Sequence, residues 1–349
     1  MLGVNSDASI QQVNGEVVGT PYKIIGDGDK DIPTIEAPAG SLEVEEEMVM
    51  IENSLNTGEN TITIVHGSTI ASVAGSTIST TGLLSVNIYA SFADAFTSNE
   101  NARIILTHKG VSKEYKVSDG RKNGSHYIYS MGINAKDYSE DVVVTFTDGN
   151  TVWGDFAISI NTYLDTMIAD TSGTYDEVKE FCRYIKNYCM AASFHFGTAT
   201  EYIPEADIAA VMDGYTPDKF VDYAYEVSGS SENVTFAGSS LLLESGTRIR
   251  LFFSVKDGVD VSTLSVTVDG RSATLTKRGS YYYVDIDNIA AKNLATFYTV
   301  DFDGVSVKYA ALSYAWYALN SSVVPSADLV DVCEALLGYY NTAYAYANR

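Results

Sequence analysis

Two copies of one long unit occupy most of this chain, and each copy ends in an amphipathic helix. The stretches EVKEFCRYIKNYCMAASFHFG (177–197) and LVDVCEALLGYYNTAYAYAN (329–348) align with Cys182 opposite Cys333. In that register, apolar or small residues recur at spacings of three and four, at Val178/Leu329, Cys182/Cys333, Ile185/Leu336, Cys189/Tyr340 and Ala192/Ala343. This stripe predicts a helix with one buried face. Each stretch follows a run of short strands, so we predict that a sandwich followed by helices occurs twice.

The segments that precede each helix alternate apolar and polar residues, as half-buried strands do. The first copy contains LSVNIYASF and DVVVTFTDG, and the second contains TRIRLFFSV and YYYVDIDNI. Asp-Gly pairs beginning at Asp148, Asp269 and Asp303 predict tight hairpin turns. We therefore expect a mainly β (α+β) chain with tandem antiparallel β-sandwich domains, each followed by a helical hairpin.

Changes in pattern along the chain give the predicted domain boundaries. In the first helix of each hairpin, Ser159 aligns with Ser313 and Tyr163 aligns with Tyr317. The predicted ranges are an acidic linker at 1–41, a β-hairpin region at 42–82, a first repeat at 83–200, a connector at 201–232 and a second repeat at 233–349. The boundary of the β-hairpin region stays open, because its strands also suit the start of the first sandwich.

The charge balance excludes one class of partner. The chain has 45 acidic and 22 basic residues and a net charge of −23, which opposes binding to nucleic acid or to an anionic membrane surface.

We expect no membrane insertion, because no long apolar run is present. The first residues, MLGVNSDASIQQ, lack a basic region followed by an apolar one, so we predict no signal peptide. The three cysteines fit small buried residues better than a disulfide framework.

One segment of the linker suggests calcium. Asp27, Asp29 and Asp31 alternate, and carboxylates at every second position can converge on one hard cation. The rest of an EF-hand loop is missing, since Ile32 occupies the position of the turn glycine and Pro38 that of the bidentate glutamate. A solvated acidic linker is the alternative. No other cofactor is expected.

Tyrosine is abundant, with 25 residues against 13 Phe and 2 Trp. Exposed aromatic rings bind sugars because a flat apolar ring matches the C–H side of a pyranose. Trp153 follows a predicted hairpin turn, and Tyr281 and Tyr283 lie on one side of a predicted strand. We take these three residues as candidate ligand-binding residues, with structural packing as the alternative.

We find no catalytic motif. The four histidines are scattered without an H-E-x-x-H motif, and no G-x-S-x-G elbow or phosphate-binding loop is present. Asp285, Asp287, Asp301 and Asp303 alternate on two predicted strands, where carboxylates could pair for glycoside hydrolysis. The same alternation places them on the solvent face, opposite apolar residues. We therefore expect a protein that is not an enzyme, with a metal-assisted hydrolase as the remote alternative.

The repeat resembles a module of large exported proteins from gut Clostridia and ruminococci. The matching elements are the strand VNIYASF, the turn TVDG (Thr267 to Gly270), the segments INAKD and IAAKN, and the terminal helix EVKEFCRYIKNYCMAASFHFG. The resemblance covers about residues 84–349. It implies an extracellular or cell-surface location rather than a particular chemistry.

Together these features predict a non-enzymatic surface protein that acts as a binding module or as a spacer. Its sandwiches would present loops or an aromatic patch to a carbohydrate or protein partner. The alternative is a structural protein of a phage that infects such bacteria, which would place the chain in a virion. The ligand, the oligomeric state and whether the chain is a fragment stay open at this stage.

Overall fold

The computed structural model describes residues 70–349 apart from 151, 172, 174, 175 and 323, and describes only the backbone of short strands within residues 1–69. Its elements confirm the predicted mainly β, α+β fold. The strands are β1 Gln12–Val13, β2 Glu16–Val17, β3 Ile24–Ile25, β4 Thr34–Glu36, β5 Glu47–Asn53, β6 Asn60–His66, β7 Ala71–Ser79, β8 Ser85–Phe92, β9 Arg103–His108, β10 Val111–Lys116, β11 Arg121–Asn123, β12 His126–Gly132, β13 Val142–Thr147, β14 Val152–Ile158, β15 Glu226–Gly229, β16 Val234–Leu243, β17 Thr247–Val255, β18 Val266–Val268, β19 Arg271–Ser272, β20 Thr276–Arg278, β21 Tyr281–Ile289, β22 Tyr298–Phe302 and β23 Val305–Tyr309. The helices are α1 Asp94–Thr97, α2 Ile160–Ala169, α3 Asp176–His195, α4 Ala206–Met212, α5 Ala311–Asn320 and α6 Ala327–Ala347.

The chain divides into two compact units. The first comprises Met1–Ser79, Ser85–Ile133 and Tyr138–Lys179, and the second comprises Thr80–Leu84, Asn134–Asp137 and Glu180–Arg349. This division places α3 from Glu180 onward in the second unit, whereas the sequence pattern groups that helix with the strands of the first repeat.

The first unit contains two antiparallel sheets. Their strand orders are β10-β9-β13-β14-β5-β6 and β11-β12-β8-β7-β4-β3. Phe92 on β8 meets Phe146 on β13 edge to face, with ring centroids 5.9 Å apart, so the two sheets face each other across an apolar core. Strand β7 pairs with both β8 and β4, so it belongs to this sandwich.

The second unit repeats this architecture with fewer strands. Its sheets have the orders β15-β23-β22-β18-β19 and β16-β17-β21-β20. Phe253 on β17 meets Phe302 on β22 at 5.3 Å, again edge to face across the core. The order β20-β21-β17-β16 matches β11-β12-β8-β7, and β19-β18-β22-β23 matches β10-β9-β13-β14. The repetition seen in the sequence is therefore present in the topology.

Two of the predicted Asp-Gly turns are two-residue hairpins with both central residues in the left-handed region. Asp269 and Gly270 join β18 to β19 with φ values of 48° and 75°. Asp303 and Gly304 join β22 to β23 with φ values of 50° and 86°. These are the torsions of a turn whose twist matches that of the strands it joins. The pair at Asp148 lies in the longer turn between β13 and β14.

The alignment of the first helix of each hairpin is wrong by one turn. Helix α2 begins one residue after Ser159, and α5 begins one residue after Ala310. In α2 the Ser159 hydroxyl accepts a hydrogen bond from the Thr162 N–H at 3.0 Å. In α5 the Ser313 hydroxyl accepts one from the Ala310 N–H at 2.9 Å. Each serine satisfies an N-terminal amide, but from opposite ends of the first turn, so the sequence match between them was misleading.

The long helices have the buried stripes that were predicted. In α3, Val178, Cys182, Ile185, Cys189 and Ala192 are all buried. In α6 the stripe is less regular. Cys333, Leu336 and Ala343 are buried, whereas Leu329 and Tyr340 are half-buried. All three cysteines are free thiols, and burial raises the pKa of Cys182 and Cys333 to about 12.

Within the second unit, α3 packs directly against α6. The ring of Tyr339 stacks on Tyr188 at 4.9 Å and on Phe181 at 6.1 Å. Gly338 permits this approach, because a Cβ at that position would lie 2.8 Å from the ring of Tyr184. The two helices with matching sequences are therefore partners in one apolar interface. Tyr339 is the buried ring there, whereas Tyr340, which was predicted to lie in the buried stripe of α6, is half-buried.

Candidate binding face of the second unit

The sequence-predicted site residues have different outcomes. Asp27, Asp29 and Asp31 lie outside the described residues. The backbone of Trp153 lies in β14 opposite Phe146, but its side chain lies outside the described part of the chain. Tyr281 and Tyr283 lie on β21 of the second unit, and they are the predicted residues around which a site can be built.

Alternation along β17 and β21 creates this face. On β17, Ile249, Leu251 and Phe253 are buried in the core, whereas the residues between them point to the opposite side of the sheet. That outer side carries Arg248, Arg250 and Phe252 from β17 and Tyr281, Tyr283, Asp285 and Asp287 from β21. We call this set the outer face. It joins an aromatic half and a charged half.

The aromatic half is a cluster of three rings. Phe252 lies between the two tyrosines, with ring centroids 6.4 Å from Tyr281 and 5.8 Å from Tyr283. Tyr281 is 45% exposed, and the other two rings are half-buried. The guanidinium of Arg250 lies 3.9 Å from the centroid of the Tyr283 ring, so one side of that ring is already covered. Tyr281 therefore offers the open aromatic surface.

The charged half is a ladder of ion pairs beside these rings. Arg250 donates to Asp285 through Nε and Nη2, both at 2.7 Å, in a bidentate pair. Arg248 contacts Asp287 and lies 3.5 Å from Asp285. The Arg250 and Asp285 side chains are 12% and 19% exposed, so the pair is largely withdrawn from water. The hydrogen bonds that Arg250 donates to the Asp285 carboxylate raise the pKa of Arg250.

This arrangement fixes polar groups next to an open ring. The charged groups that hold each other in place therefore lie on the same side of the sheet as the exposed ring of Tyr281. Asp285 and Asp287 were the carboxylates considered for hydrolysis. Both contact arginines, and both oxygens of Asp285 are engaged by Arg250. These contacts hold both carboxylates in place on the surface of the sheet.

The first unit has no such open face at the equivalent positions. Tyr89 and Ile128 pair with each other there as Phe252 and Tyr283 pair in the second unit, yet each is only 5% exposed. The ion pair is replaced by Asn87 and Ser130, whose side chains form a hydrogen bond of 2.6 Å. The outer face is thus specific to the second copy. Sequence reasoning missed Arg250 and Phe252, although the alternation in TRIRLFFSV placed them on the same side.

No family model matches the chain, and no curated protein matches it in sequence. Within the described residues, no group of three or more His, Cys, Asp or Glu side chains is placed to hold a metal ion. No helix in the described part of the chain combines the length and the apolar character needed to cross a membrane.

Proposed function

We propose that the chain is a non-enzymatic binding module, and that the outer face of its second unit binds carbohydrate. The observation that carries the proposal is the exposed ring of Tyr281 beside Phe252 and the bidentate pair of Arg250 with Asp285. Aromatic stacking supplies affinity, and the fixed charged groups supply orientation. An extracellular or cell-surface location accompanies this proposal, and it rests on the resemblance of the repeat to exported modules.

Retention on polysaccharides tests this function. The purified chain is applied to insoluble and gel-embedded starch, cellulose, xylan and mucin. We expect selective retention on at least one of them. Removing the stacking ring with Tyr281→Ala should weaken binding to that glycan about tenfold, which corresponds to roughly 1.4 kcal/mol.

Two variants make the test specific. Tyr344→Ala is the matched control, because Tyr344 is 52% exposed but lies on helix α6, so retention should be unchanged. Trp153→Ala tests the other predicted platform, on β14. Absence of retention on all four glycans, or retention that survives Tyr281→Ala, would refute the outer face as a binding site for these sugars.

A further inference from the structure

A pocket of about 560 Å³ opens beside strand β16 in the second unit. Its walls are mainly aromatic and small side chains, including Tyr225, Phe236, Gly238, Ser239, Tyr314 and Tyr317. Burial raises the pKa of Tyr314, and the hydroxyls of Ser239 and Tyr309 lie 2.5 Å apart at the sheet. Because most of the side chains that line it are aromatic or aliphatic, the pocket is predominantly apolar, and it borders the backbone of β16 at one edge of the sheet.

Strand β16 is the terminal strand of its sheet, in which the order is β16-β17-β21-β20. None of the described residues pairs with its outer edge. The equivalent strand of the first unit is β7, and there β4 pairs with the corresponding edge. The equivalence is close, because both strands contain a bulge next to a glycine. Gly75 pairs with Tyr89 in the first unit, and Gly238 pairs with Phe252 in the second.

The pocket of the second unit lies at the position that is equivalent to that of β4 in the first unit. In the first unit, Ile35 and Glu36 of β4 pair with Ser76 and Gly75. The equivalents of those two β7 residues are Ser239 and Gly238, and both line the pocket. The pocket thus lies where an added strand would enter the second sandwich.

Burial along the two strands agrees with this comparison. Ser76, Thr77 and Ile78 on β7 are 0%, 1% and 3% exposed. Their equivalents on β16, Ser239, Ser240 and Leu241, are only half-buried. The same stretch of the fold is covered in one copy and open in the other.

Neither the neighbouring helix nor the bulge blocks this edge. Helix α2 lies against β7, just as α5 lies against β16, and β7 still pairs with β4. The bulge is common to both strands. The second sheet of the second unit is already extended, because β15 pairs with β23 as β5 pairs with β14. Among the described residues, the outer edge of β16 is therefore a position at which this copy has no counterpart of a strand that is present in the first copy.

We propose that the outer edge of β16 binds an extended segment of another protein by antiparallel strand addition, with an apolar side chain of that segment in the pocket. Main-chain hydrogen bonds supply the affinity in this mode of recognition, and a pocket for an alternate side chain supplies the specificity. The partner segment carries a β-branched residue at the position equivalent to Ile35 in the sequence Thr-Ile-Glu of β4. This site is separate from the proposed carbohydrate face.

A synthetic peptide provides the test. The probe is fluorescein-labelled KDIPTIEAPAG, the sequence of residues 30–40, titrated into the full chain and followed by fluorescence anisotropy. We expect saturable binding, and at least tenfold weaker binding for a peptide with Ile35→Asp. The chain variant Ser321→Trp fills the pocket at a lining residue and should also weaken binding at least tenfold. Ser322→Trp is the matched control, because the neighbouring Ser322 is exposed and does not line the pocket.

Hydrogen exchange on the unmodified chain locates the bound peptide without relying on any variant. Exchange should slow in β16 and remain unchanged in β20, the strand at the opposite edge of the same sheet. None of the described residues pairs with the outer edge of β20 or with that of its equivalent β11. Four results would overturn the proposal. They are absence of peptide binding, equal binding by Ser321→Trp, protection of β7 or β20 instead of β16, and concentration-dependent self-association of the chain, which would make a second copy the occupant.

Discussion

The effect on stability of replacing the Arg250–Asp285 pair can be predicted by comparison with Asn87 and Ser130, which occupy the equivalent positions in the first unit. Arg250→Asn leaves a carboxylate that is only 19% exposed without its bidentate partner. Removing one member of a fully buried ion pair costs about 3–5 kcal/mol, and partial exposure lowers this to about 2–3 kcal/mol. Asp285→Ser should cost less, about 1–2 kcal/mol, because the Arg250 guanidinium keeps its contact with the ring of Tyr283.

The double variant Arg250→Asn with Asp285→Ser installs the pair that the first unit carries. Asn87 and Ser130 occupy the equivalent paired positions and share a hydrogen bond of 2.6 Å. We expect the double variant to lie within about 1 kcal/mol of the parent chain, because no unpaired charge remains. Simple addition of the single effects would instead give a loss of about 3–5 kcal/mol.

Urea unfolding followed by tryptophan fluorescence measures these differences. The chain has 2 tryptophans, so Trp153→Phe leaves Trp316 of the second unit as the reporter. All four chains of the cycle carry this background substitution. A double variant that loses the full sum of the single effects would refute the reasoning, since the two side chains would then act independently.

Two further predictions concern titration and backbone conformation. Burial, with contributions from Asp331 and Asp213, raises the pKa of Glu334 from 4.5 to about 7. The unfolded chain therefore loses this proton first as the pH rises, and stability falls between about pH 4.5 and 7. Glu334→Gln should add about 1–2 kcal/mol at pH 8 and nothing at pH 4 in urea unfolding, after allowance for partial exposure, and an equal effect at both pH values would contradict this. Gly229→Ala should destabilise the chain by at least about 1 kcal/mol more than Gly258→Ala. Both glycines have positive φ, but a Cβ on Gly229 would lie 2.1 Å from a backbone oxygen, whereas Gly258 faces open space. Equal thermal unfolding midpoints for Gly229→Ala and Gly258→Ala would contradict this prediction.

Much of the fold was predictable because its signals are local. Alternation in TRIRLFFSV determines which residues of β17 are buried, and Asp303-Gly304 adopts the positive φ values that an Asp-Gly pair favours in a two-residue hairpin. The stripe of Cys182, Ile185 and Cys189 is a property of one helix. The same alternation placed Tyr281 and Tyr283 on one side of their strand, so half of the candidate face was accessible from the sequence.

Only the tertiary structure decided what those elements pack against. The repeat grouped α3 with the strands before it, yet from Glu180 onward it belongs to the second unit and stacks on Tyr339. The repeat also implies equal copies, but Ser76 is buried and Ser239 is not, because β4 pairs beside the first and none of the described strands pairs beside the second. Local sequence determines which side of an element is apolar. What covers that side depends on contacts between residues far apart in the chain, and the periodicity of one strand or helix carries no information about them.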